Sequence, residues 1–133
     1  MLLNWLRGLV AGADPNWSER GVQELTDLDA LDGALAQSQE GPVAFFKHST
    51  TCPISAGAAR EVQDYLDGGG DPGAAFYLIK VIQARPVSNA LAERLAVRHE
   101  SPQCIVVRDG DVHGHASHGA ITQQALREVL ANT

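Results

Sequence analysis

The stretch Phe45-Phe46-Lys47-His48-Ser49-Thr50-Thr51-Cys52-Pro53-Ile54-Ser55 constrains this chain more than any other. Val43 to Phe46 is a short apolar run with the length and composition of a buried strand, extending through Lys47. A polar turn follows. After Cys52 the apolar residues Ile54, Ala58, Val62 and Tyr65 recur at helical spacing and predict a helix to about Leu66. Pro53 suits the first helical turn, where its missing N–H costs nothing. A cysteine between strand and helix meets free N–H groups and the positive end of the helix dipole, which stabilise a thiolate. Ser55 stands where a Cys-x-x-Cys pair has its second cysteine, so the layout is that of a one-cysteine thiol–disulfide centre. Most free cysteines are inert, buried hydrophobes. The strand–turn–Cys-Pro–helix context is what selects reactivity here.

Other elements follow from pattern and punctuation. Leu2, Leu3, Leu6 and Val10 share one face of a short helix that Pro15 ends, giving an N-terminal extension over residues 1–20. Val22 to Leu25 reads as a short strand. Thr26 offers an N-cap for a helix over residues 27–38, with Leu28, Leu31 and Leu35 on one face. Gly41-Pro42 precedes the second strand, and Gly68 to Gly73 forms a loop. Ala75 to Gln83 is a near-continuous apolar run expected of a strand covered on both faces. Pro86 begins a helix to about Val97, with Val87, Leu91 and Leu95 inward. Cys104 to Val107 and Val112 to His115 are strands joined by the hairpin signal Asp109-Gly110. Thr122 caps a last helix carrying Leu126, Val129 and Leu130.

The chain has 133 residues, enough for one domain with a core that needs neither disulfides nor metal. Its formal net charge of −6 argues against nucleic acid or an anionic membrane as a general partner. No apolar run approaches the roughly 20 residues that span a bilayer. Two cysteines in unlike contexts make no disulfide framework, so a reducing cytosol fits. Arg7 interrupts the first apolar run, and nothing basic precedes it, which argues against a secretory signal.

The resulting order, β-α-β-α-β-α-β-β-α, implies a parallel portion of sheet closed by an antiparallel hairpin. It resembles the thioredoxin-like order: an α/β domain over residues 21–133, with a mixed four- to five-stranded sheet flanked by helices on both faces. In that fold a cis proline opposite the reactive cysteine precedes the closing hairpin, and Pro102 stands there.

Four separated blocks narrow the resemblance. Lys47 to Ser55, Val87-Ser88-Asn89, His99-Glu100-Ser101-Pro102-Gln103 and His115-Ala116-Ser117-His118 together resemble the bacillithiol-system redox-active proteins, monothiol bacilliredoxin-like members of the thioredoxin superfamily. The likeness runs from about Gly21 to Leu130. It implies removal of bacillithiol, a low-molecular-weight thiol acting as co-substrate, from mixed disulfides on cytosolic S-thiolated proteins. Gly119 stands where some relatives carry a bulky aromatic, which implies a more open groove.

On this reading Cys52 is the catalytic residue, and Lys47, His48, Thr51, Pro53 and Ser55 support it. Ser55 offers its hydroxyl and backbone N–H to the thiolate. Lys47 and His48 either add positive charge or sit as a snorkelling strand end and a solvated turn residue. Thr50 and Thr51 either donate hydrogen bonds or shape the turn. Ser101 and Pro102 form the opposite wall, where free backbone pairs with an extended thiol or peptide. Ser117 and His118 come to the same rim, either to hold the carboxylates of an acidic thiol or as a plain connection. Cys104 lies in an apolar strand and reads as packing rather than as a resolving thiol. His113, His115 and His118 have a metal-like spacing, but no carboxylate or cysteine completes the set, so no metal is expected.

Two other classes compete with the enzyme. A Cys-x-x-Ser protein of monothiol-glutaredoxin type can carry an iron–sulfur cluster, although the bulk of Pro53 disfavours close approach. A non-catalytic thioredoxin-like binding module would keep the groove and leave Cys52 idle.

Overall fold

The computed structural model describes residues 15–131. The helix expected around Leu2 to Val10 lies outside the described residues. Pro15 opens a helix rather than ending one: α1 is the single turn Pro15–Ser18, and a proline at a first helical position forfeits no hydrogen bond. Trp17 from this turn is buried in the core, its ring 5.7 Å from that of Phe46. Arg20 just beyond pairs with Asp67 at 2.8 Å.

The remaining elements are β1 (Gln23–Glu24), α2 (Leu28–Gln37), β2 (Val43–His48), α3 (Pro53–Asp67), β3 (Ala75–Lys80), α4 (Arg85–Leu95), β4 (Gln103–Arg108), β5 (Asp111–Ser117) and α5 (Gln123–Ala131). A single 3-10 turn, His118–Ala120, joins β5 to α5. The five strands form one mixed sheet in the order β1-β3-β2-β4-β5. β1 and β2 run parallel to β3, whereas β4 is antiparallel to both β2 and β5.

β2 is central and buried at every position. Its alternation divides the core into two layers. Val43 and Phe45 pack with Leu31 and Ala34 of α2 and Val87 and Leu91 of α4. Ala44 and Phe46 pack on the other face, with Trp17, Val62 and Tyr65 of α3 and Leu126 and Leu130 of α5.

Three local expectations are corrected. The N-cap of α2 is Asp27, not Thr26, because the Asp27 carboxylate accepts from the Ala30 N–H at 2.8 Å. β3 stops at Lys80, although Val81 and Ile82 continue the apolar run. There the Val81 N–H donates to the His48 carbonyl at 3.0 Å, and the chain turns over the end of β2, leaving Ile82 exposed. α4 starts at Arg85 and ends at Leu95, where Ala96 takes a left-handed φ of 53°.

Other local signals hold. The hairpin loop Asp109-Gly110 has φ of 53° and 78°, the pair of positive values that suits a two-residue turn between twisted strands. The Thr122 hydroxyl accepts from the Ala125 N–H at 3.1 Å and caps α5. The Ser101–Pro102 bond is cis, as its place in the order predicts.

Candidate active site

β2 runs straight into the turn that carries Cys52. The Cys52 N–H donates to the Ser49 carbonyl at 3.2 Å, closing the turn, and the Cys52 carbonyl accepts the first helical bond from Ala56 at 3.0 Å. Cys52 is thereby the N-cap of α3 in an extended conformation, with Pro53 next in the helix. Its side chain makes no capping bond and is half-buried, so the sulfur is left free at the head of a fifteen-residue helix. Such a helix end favours negative charge. Thr50, Thr51 and Pro53 are exposed around it, and Ile54 is 59% exposed.

Lys47 and His48 are both buried, not a snorkelling strand end and a solvated turn residue. Alternation sends them to opposite faces. His48 lies on the α3 side, its ring 5.6 Å from Phe46 and 6.3 Å from Trp17. Its Nδ1 is 2.7 Å from the Ser55 hydroxyl, which also accepts from the Ser49 N–H at 2.9 Å. Ser55, fully buried, therefore fastens the end of β2 to the first turn of α3. The structure brings His48, Ser49 and Ser55 together beneath the Cys52 turn.

Lys47 points to the α4 side. Its Nζ donates to Nδ1 of His99 at 3.1 Å, and the Ser88 hydroxyl lies 3.3 Å from the same nitrogen. That bond assigns the ring proton of His99 to Nε2. Burial brings the Lys47 ammonium down to about 8. His99 is also shifted down, first by desolvation and then by the charges of Lys47 and Arg85, with Glu100 acting the other way. Ser88 and His99 belong to the blocks that carry the family likeness, yet residue chemistry alone assigned them no role. The parity of β2, which puts Lys47 with Val43 and Phe45, was the signal available for them.

At the same end of the sheet, the start of β4 pairs with the end of β2 and with the end of β5. Pro102 is buried and Ser101 half-buried. The Ser101 hydroxyl oxygen is buried without a hydrogen-bond partner among the described residues. The Pro102 carbonyl accepts from the His118 N–H at 3.0 Å, and Ser117 pairs with Gln103 in the ladder. The His118 turn, at a left-handed φ of 54°, packs against α3. Ser117, His118, Ser101 and Pro102 thus lie together at this end of the sheet. The Ser117 hydroxyl, with His118, Arg98 and His115 nearby, holds the Glu100 carboxyl below its ordinary range. At Gly119 an added Cβ would meet no atom within 4 Å, so the rim is open there.

Cys104 is buried in the layer between the sheet and α5, and burial pushes its thiol up to about 12. Among the described residues no group of three or more His, Cys, Asp or Glu side chains is placed to hold a metal ion. Likewise, no helix among them is long and apolar enough to cross a membrane.

Solved structures share this architecture. One described as having a thioredoxin fold superposes with a TM-score of 0.73 at 26% identity, covering 85% of this chain and 96% of that one. Thioredoxin O2 from Arabidopsis thaliana gives a TM-score of 0.67 at 15% identity, covering 86% of this chain and 95% of that one. Fasciola hepatica thioredoxin gives 0.65 at 16% identity, over 84% and 98% of the two chains. The latter two likenesses show the fold alone, which is thioredoxin-like. The family model described as monothiol bacilliredoxin BrxC matches residues 23–126, from β1 into α5. The chain belongs to the monothiol bacilliredoxin BrxC family, and this membership implies a bacilliredoxin-like thiol–disulfide function.

Proposed function

We propose that this protein is a monothiol thiol–disulfide oxidoreductase that removes bacillithiol from mixed disulfides on cytosolic proteins, with Cys52 as nucleophile. The observation that carries this reading is the contrast between the two cysteines. Cys52 is accessible at the head of α3, while Cys104 is buried and kept as a neutral thiol. Only thiolate attacks a disulfide at a useful rate.

The Cys52 thiolate attacks the bacillithiol sulfur of the mixed disulfide. The disulfide bond breaks, the substrate protein leaves as a thiolate and takes a proton from water, and Cys52 is left joined to bacillithiol. Ser55 cannot resolve this adduct. A second bacillithiol thiolate attacks the adduct's bacillithiol sulfur, releasing oxidised bacillithiol and restoring Cys52. Each cycle frees one protein thiol and consumes one bacillithiol, which leaves joined to the bacillithiol unit of the mixed disulfide as oxidised bacillithiol.

The two sides of the groove take distinct parts. The Cys52 turn presents the nucleophile, with His48, Thr51, Pro53 and Ser55 shaping it. Ser101 and Pro102 align the extended substrate, and Ser117 and His118 face the acidic groups of bacillithiol. Turnover of a bacillithiolated peptide with bacillithiol as reductant tests this. Activity that survives Cys104→Ala and disappears in Cys52→Ala is the expected result. Absence of turnover in the wild type would leave a non-catalytic binding module instead.

A further inference from the structure

The reaction just described makes no use of the polar cluster on the far face of the sheet. Lys47 is fully buried and makes no ion pair among the described residues. A buried cation without a counter-charge costs stability, and an apolar side chain would fill the same space at less cost. What Lys47 holds is His99, three residues before Pro102, in the irregular segment that joins α4 to β4.

Other side chains grip the same segment. Ser88 reaches His99 from α4. Gln103, which faces Lys47 across the β2–β4 ladder, donates to the Arg98 carbonyl at 3.0 Å and accepts from the Glu100 N–H at 3.4 Å. Groups from β2, α4 and β4 therefore converge on residues 97–102, and that segment ends at Ser101–Pro102, where β4 begins beside the end of β2.

We propose that Lys47 and His99 are positioning residues: their hydrogen bond fixes the 97–102 segment so that the Ser101–Pro102 wall aligns an extended disulfide substrate against Cys52. This rests on the thiol-exchange reading for its chemistry, although the lock itself is a property of the fold.

The lock has a polarity in pH. Neutral His99 accepts from Lys47, whereas a protonated ring would set two cations 3.1 Å apart. The charged groups acting on His99 are Lys47 from β2, Arg85 from α4 and Glu100 on its own segment, and only Glu100 favours the imidazolium. The pair is intact above the His99 titration and opens as pH falls through it.

The test compares the full chain with His99→Leu, His99→Asn and Lys47→Met in three measurements: exchange with a bacillithiolated peptide, alkylation of Cys52 by iodoacetamide, and hydrogen exchange over residues 97–104. In His99→Leu, KM for the peptide disulfide rises about tenfold while kcat and the alkylation rate change less than about twofold. His99→Asn, whose Oδ1 takes the place of Nδ1 as acceptor, recovers most of the affinity. It also abolishes the acid-side fall in the ratio of exchange to alkylation, two reactions of the same Cys52 sulfur. Amides in 97–104 exchange about tenfold faster in both His99→Leu and Lys47→Met.

Unchanged KM and unchanged hydrogen exchange in Lys47→Met and His99→Leu would overturn the proposal. If His99→Leu does not fold, Lys47→Met decides alone. A wild type that attacks no mixed disulfide, with accelerated exchange in the variants, would keep the lock and overturn the thiol-exchange reading instead. Wild-type hydrogen exchange in the variants, with that same inactivity, would overturn both.

Discussion

The Ser55 hydroxyl lies 2.7 Å from Nδ1 of His48, joining the first turn of α3 to the last residue of β2 under the Cys52 turn. Ser55 fills the place of a resolving cysteine, yet it is bonded to the scaffold and fully buried. The monothiol character of the site is therefore built into its support.

Ser55→Ala removes the acceptor for the Ser49 N–H and the partner of a buried ring nitrogen. It lowers stability by about 1–3 kcal/mol, measured by urea unfolding. Ser55→Cys restores a Cys-x-x-Cys spacing, and oxidation then produces an internal disulfide with Cys52, seen as a loss of two hydrogens by intact mass. A fully stable Ser55→Ala variant would show that the His48–Ser55 bond contributes nothing to the turn.

Cys104 makes the opposite prediction. Its folded-state thiol is pushed up to about 12, whereas an unfolded chain ionises near the ordinary cysteine value of about 8.5. The unfolded state thus loses its proton first. Stability is full below that value and falls as pH rises from there toward 12. Replacement by valine removes this slope, so the difference between wild type and Cys104→Val grows by about 1–2 kcal/mol between pH 9 and 10.5. In native protein at neutral pH a thiol reagent labels Cys52 alone, and Cys104 reacts only on unfolding.

Lys47 titrates with the reverse sign. Its folded value of about 8 lies below the ordinary lysine value of 10.5, so above pH 8 the native state sheds a proton that the unfolded state keeps. Wild-type stability gains from this group as pH rises from about 8 to 10.5. Lys47→Met avoids burying the charge and is more stable by about 1–3 kcal/mol at pH 7, an advantage that shrinks across the same window. Denaturation of the two proteins at pH 7 and 10 checks both the sign and the window.

Much of the fold was legible because its signals are local. The apolar run before Cys52, Pro53 behind it, the Asp109-Gly110 hairpin and the Thr122 cap each act within a few residues. The end of β3 was not legible, since Val81 and Ile82 are as apolar as the strand before them. A bond from Val81 to His48 on another strand sets the turn there. Thr26 and Asp27 are both good caps, and only the reach to Ala30 chooses between them. For Lys47 the strand itself was evident, whereas His48, read as a turn residue, is the last residue of β2; their partners Ser55, Ser88 and His99 are brought in by tertiary packing.

Gly119 provides a probe of the rim. A side chain there enters open space, so Gly119→Phe changes stability by no more than about 0.5 kcal/mol. The new ring narrows the groove and changes KM for a bacillithiolated peptide while leaving alkylation of Cys52 by iodoacetamide as it was. Equal KM values in the two proteins would place the substrate away from the His118 turn.

Intact mass after incubation with oxidised bacillithiol decides whether Cys52 is the nucleophile, with wild type, Cys52→Ala and Cys104→Ala side by side. One bacillithiol adduct is expected in wild type and Cys104→Ala, reversed by added bacillithiol, and none in Cys52→Ala. An internal disulfide that requires both cysteines, or the absence of any adduct on the wild-type protein, would contradict it.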